Sequence, residues 1–275
     1  MLARLDSWRR ALGTGLCLAL YGGLSLLASF TLLPLVQLWP GNAAAQQRRV
    51  RRVVSGSFRM LLAGIAGLGL GRVEVQGREW LEHAQGKLLI ATHPMYLDIV
   101  ALLALLPQAD CVVKGAMLRN PLYRRFVTAA GYISNADPTR LIEDCVRTLR
   151  RGHTLVVFPE GTRSEPGQAW HFRRGAAQMA VRSGCQILPV LICCDPPALF
   201  KGKPWHQVPR RPWRLLVKFY PPQTPEALGV QPGLPYAVAA RRLNRNLENF
   251  FKQQLAANEQ PDRRTEAAHH HLARS

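Results

Sequence analysis

The sequence predicts an α/β domain, with a mixed, largely parallel sheet flanked by helices and an apolar, helical N-terminal segment before it. Three observations predict this fold. From about residue 73, short β-branched runs alternate with amphipathic stretches, a pattern typical of largely parallel sheets. Residues 11–39 carry no charged side chain. Hydrophobic residues make up 48% of the 275, which allows a sizeable core and excludes a disordered chain.

Changes in composition divide the chain into three parts. Residues 1–72 hold apolar, membrane-associating helices joined by a basic loop, and residues 73–256 hold the α/β domain. The polar residues 257–275 are expected to form a disordered tail.

The uncharged run 11–39 is long enough, as a helix, to cross a hydrocarbon core about 30 Å thick. A second apolar stretch, Met60–Gly71, is too short to span one by itself. These two apolar stretches favour a helical hairpin that inserts into one leaflet, with its arginines bound to anionic headgroups. A single spanning helix is the alternative. A signal peptide is disfavoured because its apolar run is usually about half as long. The flanking arginines are Arg4, Arg9, Arg10, Arg48, Arg49, Arg51 and Arg52.

The chain is strongly basic, with 36 Lys+Arg against 17 Asp+Glu and a formal net charge of +19. Arginine contributes 30 of the 36, which favours phosphate-bearing partners, although a GC-rich genome has the same effect. Charge of this size fits an anionic membrane, an acidic protein or nucleic acid. Nucleic acid is disfavoured, since the basic residues are scattered and no aromatic pattern for base stacking accompanies them.

The α/β pattern assigns the following elements in order. The predicted strands are Val73–Gln76, Lys87–Ala91, Cys111–Lys114, Gly131–Ser134, Thr154–Phe158, Ile187–Cys193 and Arg214–Phe219. The predicted helices are Asp98–Leu106, Leu118–Ala130, Thr139–Arg150 with Thr139 as its cap, Gly175–Ser183, and a last helix of about 20 residues opened by Pro235. Five prolines make the stretch 196–212 an irregular loop.

Six cysteines show neither CxxC spacing nor a zinc-type pattern, which indicates reduced thiols on the cytoplasmic side of a membrane. The run His269–His271 is a weak metal signal, and no metal site is expected.

A candidate general base follows the second predicted strand. Pro94 disfavours a helical conformation at His93, so His93 lies at the carboxyl end of the strand, where α/β sheets place ligands. Asp98 starts the next helix, and the bend between the two brings its carboxylate back towards the imidazole. A histidine oriented by a carboxylate is a common general base. The alternative is a capping histidine beside a surface aspartate.

A candidate anion cradle follows the fifth predicted strand, in the segment Pro159-Glu160-Gly161-Thr162-Arg163-Ser164. Two hydroxyls, backbone N–H groups and a guanidinium after a sharp turn suit a phosphate. The alternative is a solvated turn with an ion pair between Glu160 and Arg163.

Together, HxxxxD and, about 60 residues later, FPEGTRS resemble the motifs of the glycerophospholipid acyltransferase family, which includes 1-acyl-sn-glycerol-3-phosphate acyltransferases. The resemblance covers roughly residues 73–220 and extends to two further blocks, from Lys114 to Ile133 and at Ile187–Val190. It implies that His93 is the general base and that Asp98 orients it. The resemblance also implies a phosphate site at Glu160, Gly161, Thr162 and Arg163, and Pro189 on the acyl-donor side.

The implied reaction moves a fatty acyl group from an acyl carrier protein or coenzyme A thioester to the hydroxyl of a lysophospholipid, with no cofactor. The expected partners are therefore these donors, the lysophospholipid and anionic membrane lipids. The expected location of the catalytic domain is the cytoplasmic face of a membrane, and the bacterial inner membrane is the one expected.

Three departures from the family pattern bear on the acceptor. Thr92 and Met95 stand where Asn and Ser are frequent, and no Arg directly follows the strand ending at Ser134. The same chemistry on another acceptor, such as a lyso-aminolipid or a secondary-metabolite hydroxyl, is therefore the alternative function. A catalytically inactive membrane scaffold is a further one.

Overall fold

The structure is a computed structural model that describes the backbone of residues 2–165 and 170–272, and most side chains from residue 6 to residue 258. Within these residues the strands form one sheet, and all seven predicted segments begin and end within two residues of the observed strand. The strands are β1 (Gly71–Gln76), β2 (Leu88–Ala91), β3 (Asp110–Val113), β4 (Ile133–Ser134), β5 (Leu155–Val157), β6 (Ile187–Asp195) and β7 (Trp213–Phe219).

The sheet has the order β1-β7-β6-β2-β5-β3-β4. The pair of β6 with β7 is antiparallel and the other strand pairs are parallel, which confirms the mixed, largely parallel sheet. The helices are α1 (Leu2–Phe30), α2 (Leu32–Leu38), α3 (Ala43–Gly67), α4 (Asp98–Leu105), α5 (Gly115–Arg119), α6 (Pro121–Ala129), α7 (Pro138–Arg150), α8 (Gly175–Ser183) and α9 (Tyr236–Leu272).

Helices cover both faces of the sheet. Along β2, Leu89 and Ala91 join one buried cluster with residues of α3 and α4, while Leu88 and Ile90 join the other with residues of α7, α8 and α9. All four side chains are completely buried. A strand with apolar residues on both faces is typical of a parallel sheet between two helical layers.

Three helical details differ from the sequence prediction. The segment predicted as one helix over 118–130 is split between α5 and α6, because Pro121 cannot continue a helix but suits its first turn. Asp137, rather than Thr139, caps α7 by accepting the backbone N–H of Thr139 at 3.0 Å. The last helix, α9, has 37 residues instead of about 20 and passes the expected start of the tail at residue 257. The side chains of His269–His271 lie outside the described residues.

The N-terminal helices contain one stretch, Asp6–Leu38, that is long and apolar enough to cross a membrane. The second apolar stretch of the sequence lies on α3 and is partly a core element, since Leu61 and Ile65 are buried against the domain. The helices α1 and α3 contact each other through Tyr21 and Phe58, whose ring centroids are 6.1 Å apart. The one-leaflet hairpin stays a prediction.

Two of the arginines predicted to face lipid headgroups are buried instead, and the prediction is wrong for them. Arg51 is 5% exposed and forms a bidentate ion pair with Asp110. Arg10, also 5% exposed, donates to Asp6 and to the carbonyl of Arg210. A buried guanidinium needs a counter-charge and acceptors from distant parts of the chain, which no local pattern reveals.

The other flanking arginines differ in what they contact. Arg9 donates to Asp6 and to the Leu68 carbonyl, and Arg49 donates to the carbonyls of the α2–α3 turn. Arg48 and Arg52 are exposed, and the side chain of Arg4 lies outside the described residues.

Candidate active site

The two sequence motifs meet at one edge of the sheet. The neighbouring strands β2 and β5 are parallel, so both end at the same edge. His93 lies two residues beyond the end of β2, and Glu160 lies three residues beyond the end of β5. The crevice outside the carboxyl ends of parallel strands is where open α/β sheets bind ligands.

His93 and Asp98 form the predicted pair. After Pro94, a tight turn over residues 95–97 reverses the chain and places Asp98 at the start of α4. The His93 Nδ1 lies 2.9 Å from Asp98 Oδ2, and the imidazole stacks on Phe158 at a centroid distance of 4.1 Å. Since the carboxylate accepts Nδ1–H, the lone pair of Nε2 remains available to take a proton.

Asp98 is completely buried. Its Oδ2 also accepts the Met95 backbone N–H at 2.8 Å, while Oδ1 has no hydrogen-bond partner among the described residues. Burial raises the pKa of Asp98 from 3.8 to about 6, against the opposing effects of His93 and the Met95 N–H, and the nearby Glu160 adds to the rise. Asp98 is therefore a carboxylate whose charge is maintained chiefly by its bond to the histidine.

Glu160 connects the two motifs instead of pairing with Arg163. Its Oε1 accepts the backbone N–H of His93 at 2.8 Å, and its Oε2 accepts the hydroxyl of Ser164. The Ser164 N–H donates in turn to the His93 carbonyl at 2.8 Å. Burial raises the pKa of Glu160, while these hydrogen bonds oppose the rise. The carboxylate thus fixes the backbone of the general base, a contact that sequence reasoning did not predict.

Arg163 lies over the ring of Tyr96, with 5.0 Å between its guanidinium carbon and the ring centroid. Its Nη1 is 3.4 Å from the carbonyl oxygen of Leu199. Arginine over an aromatic face gains a cation–π attraction and keeps its edge free for an anion. Thr162 is half-buried beside it.

Gly161 needs its glycine because the backbone is left-handed, with φ +68°, and a second arginine lies against it. A Cβ at this position would be 2.9 Å from both Cδ and Nε of Arg173. The backbone of Arg173 is held in place because its N–H donates to the Pro159 carbonyl at 2.7 Å. The structure therefore places a second guanidinium beside the predicted cradle. The Arg173-Arg174 pair before α8 is the sequence signal that could have found it.

Pro189 lies inside a strand, unlike the other predicted site residues. It is buried in β6, level with Ile90 of β2, and its carbonyl accepts the Tyr220 N–H at 3.0 Å. Its role on the acyl-donor side stays a prediction.

Thr92 explains how the sheet ends next to His93. Its buried hydroxyl donates to the carbonyl of Ile192 at 3.0 Å and accepts the Ile192 N–H at 2.7 Å. Thr92 therefore closes the β2–β6 pairing where β2 ends, and its hydroxyl is occupied within the protein. In the described part of the chain, no cluster of three or more His, Cys, Asp or Glu side chains is arranged to hold a metal ion.

The fold and the paired motifs define an acyltransferase domain. Residues 72–193, which make up less than half of the chain, match the Acyltransferase family, as the motifs predict. The match includes His93, Asp98, the Glu160–Arg163 segment and Pro189.

Curated relatives name a particular activity within the family. The chain is 25% identical over 188 residues to a chloroplastic 1-acyl-sn-glycerol-3-phosphate acyltransferase of Brassica napus, covering 65% of this chain and 52% of that protein. It is 28% identical over 143 residues to a 1-acyl-sn-glycerol-3-phosphate acyltransferase of Helicobacter pylori, covering 50% of this chain and 60% of that one. The chain thus spans about half the length of the curated relatives it matches.

A solved structure shares the fold over most of both chains. The crystal structure of the 1-acyl-sn-glycerophosphate acyltransferase PlsC from Thermotoga maritima superposes with a TM-score of 0.62 at 19% identity. The match covers 89% of this chain and 97% of that one.

Proposed function

We propose that this protein is a membrane-associated 1-acyl-sn-glycerol-3-phosphate O-acyltransferase, which takes its acyl group from acyl carrier protein or coenzyme A. The observation that supports it most directly is the 2.9 Å contact of His93 Nδ1 with buried Asp98, at the same sheet edge as Arg163. The names of its curated relatives agree with this acceptor.

In the proposed reaction, His93 Nε2 takes the proton of the acceptor hydroxyl as its oxygen attacks the thioester carbonyl carbon. The new C–O bond forms and the C–S bond breaks. The imidazolium then returns its proton to the departing thiolate, so no acyl-enzyme intermediate is needed. Asp98 holds the imidazole in the Nδ1–H tautomer and stabilises the imidazolium. Because a thioester is already activated, positioning and general-base catalysis provide much of the acceleration.

The acceptor phosphate is proposed to bind between Arg163 and Arg173. The Tyr96 ring orients the first guanidinium, and Gly161 leaves room for the second. Thr162 and the backbone N–H groups of the turn add uncharged donors. Glu160 supports this site indirectly, because both of its oxygens are already bonded to the residues that hold His93.

The alternative is the same chemistry on a lyso-aminolipid or another hydroxyl. The observation that favours it is the segment after β4, where Asn135 accepts the Gly115 N–H at 2.9 Å and Asp137 caps α7. Residues Asn135 to Asp137 therefore follow the strand where the family pattern has an arginine, and the contacts to the acceptor headgroup should differ there.

Membrane attachment is proposed to occur through the apolar stretch Asp6–Leu38. The domain is proposed to lie on the cytoplasmic face of the membrane. The six free cysteines are compatible with that reducing side. The proposed partners are anionic membrane lipids and the acidic acyl carrier protein, which the net charge of +19 would attract.

A transfer assay in detergent or membranes tests the proposal, with acyl carrier protein and coenzyme A donors and several lysolipids offered together. Phosphatidate identified by mass is the expected product, and acylation of another lysolipid in its place would select the alternative. Arg163→Ala should raise KM for lysophosphatidate about tenfold or more. Arg174→Ala is the matched control, an exposed arginine next to Arg173.

A further inference from the structure

The proline-rich loop 196–212, between β6 and β7, is not part of the function described above. It carries four positive charges and no acidic residue. Lys201 pairs with Glu165, and Arg211 donates to Asp195. Lys203 and Arg210 are exposed and form no ion pair within the described part of the chain. The loop is therefore a basic surface with two cations available to an anion.

The loop is docked against α1. The Trp205 ring packs so closely on Gly15 that a Cβ there would lie 2.7 Å from it. Arg10 donates to the carbonyl of Arg210, and the space between loop and helix is a cavity of about 10 Å³, room for one water. The loop thus sits at a fixed level of α1, beside its last charged residue and the first turns of its apolar run.

Beyond that level, α1 exposes a stripe of leucines at helical spacing. Each is between 54% and 68% exposed, and together they form an unpartnered apolar face typical of contact with lipid. They are Leu12, Leu16, Leu20, Leu24 and Leu27. With α1 in the membrane as proposed above, a loop beside the start of this stripe would lie at the depth of the lipid headgroups. Tryptophan and basic residues are the side chains enriched at that depth, and Trp205 is 49% exposed.

We propose that the loop 196–212 is a second membrane-binding element, which binds anionic phospholipid headgroups beside the point where α1 enters the membrane. The proposal rests on the attachment through α1 given above. The half-exposed Trp205 and the contact with α1 favour a lipid surface over an acidic carrier protein, which would require no contact with the anchor.

The loop also reaches the active site. Leu199 adopts a left-handed backbone, φ +48°, which is strained for a leucine. Its carbonyl accepts the Tyr96 N–H at 3.2 Å and lies 3.4 Å from Arg163 Nη1. Headgroups bound by the loop therefore hold the backbone that positions the guanidinium proposed to bind the acceptor phosphate.

Hydrogen–deuterium exchange tests the loop in the full chain, reconstituted in nanodiscs of phosphatidylcholine alone or mixed with phosphatidylglycerol. We expect the amides of residues 201–211 to exchange several-fold more slowly with phosphatidylglycerol present. Lys203→Ser/Arg210→Ser should abolish that difference. Arg241→Ser/Arg245→Ser removes the same charge from exposed positions on α9 and should leave it intact.

Two results would overturn the proposal. One is equal exchange of the loop in both nanodiscs. The other is slowing of the loop by added acyl carrier protein but not by phosphatidylglycerol. The peptides of α1 report separately on the anchor. If the α1 peptides are protected from exchange in both nanodiscs while the loop does not respond, this inference is overturned and the proposed function stands. If the α1 peptides exchange freely, the proposed membrane attachment through α1 is overturned.

Discussion

Among the described residues, two aspartates, Asp98 and Asp110, are buried and each is bonded to a histidine at the same distance. In both pairs, His93–Asp98 and His153–Asp110, the imidazole Nδ1 lies 2.9 Å from a carboxylate oxygen. Asp98 is completely buried and Asp110 is 3% exposed. By residue type, distance and burial of the aspartate the two pairs are nearly equivalent, although the side chain of His153 is more exposed than that of His93. The two pairs lie at opposite edges of the sheet.

The difference is the counter-charge. Both Nη atoms of Arg51 donate to the carboxylate of Asp110. The same guanidinium also donates to the carbonyls of Gln108 and Ala130. That network fastens α3 to the start of β3. Asp98 has no such cation, and its pKa is raised to about 6. The comparison teaches that a histidine–carboxylate pair is suited to catalysis where the histidine is the main group that stabilises the negative charge of the carboxylate. Where an arginine neutralises that charge, the pair is suited to holding the fold together.

The largest expected effect is a loss of activity, which distinguishes His93 from His153. His93→Ala should lower kcat about 10²- to 10⁴-fold, because the proton acceptor is removed while the phosphate site stays intact. Acyl transfer by the purified variant measures it, and thermal unfolding controls for its fold. Turnover close to that of the wild type would contradict the assignment.

Arg51 should matter for stability and not for chemistry. Arg51→Met leaves the Asp110 charge buried without a cation, and the free energy of unfolding should fall by about 3–5 kcal/mol. Chemical unfolding in detergent measures the loss, with the exposed Arg52→Met as control. Equal stability of the two variants would show that the network does not hold α3 to the domain.

Asp98 should make stability depend on pH. Native Asp98 holds its proton more tightly than the unfolded chain does, so its contribution is present at low pH and is lost as pH rises from 3.8 to about 6. Asp98→Asn has no such titration. Between about pH 4.5 and about pH 8, the wild type should lose about 2 kcal/mol of unfolding free energy relative to the variant. A pH-independent difference would argue against the raised pKa.

The smallest effect is expected at the other histidine. The side chain of His153 is 48% exposed and its aspartate is already neutralised by Arg51, so His153→Ala should cost at most about 1 kcal/mol. Its kcat should match that of the wild type in the assay used for His93→Ala. A loss of activity without a loss of stability would mean that the two pairs differ less than proposed.

Every strand of the sheet could be predicted from the sequence, and so could the pairing of His93 with Asp98. The short β-branched runs are local signals, and the strand–helix alternation restricts the topology to a largely parallel sheet. Prediction was less accurate where a local signal was missed, as at Pro121, which splits a helix, and at Asp137, which caps α7 in place of Thr139. In both cases the correct residue was visible in the sequence.

By itself, the sequence determined the alternating elements, the apolar N-terminal segment, and the order and spacing of the two motifs. The tertiary structure decided which charges are buried and what they contact. Glu160 meets the His93 backbone 67 positions away, and Arg51 meets Asp110 59 positions away. The physical reason is that secondary structure follows from neighbours along the chain. The state of a charge depends on the solvent and partners that distant segments remove or supply.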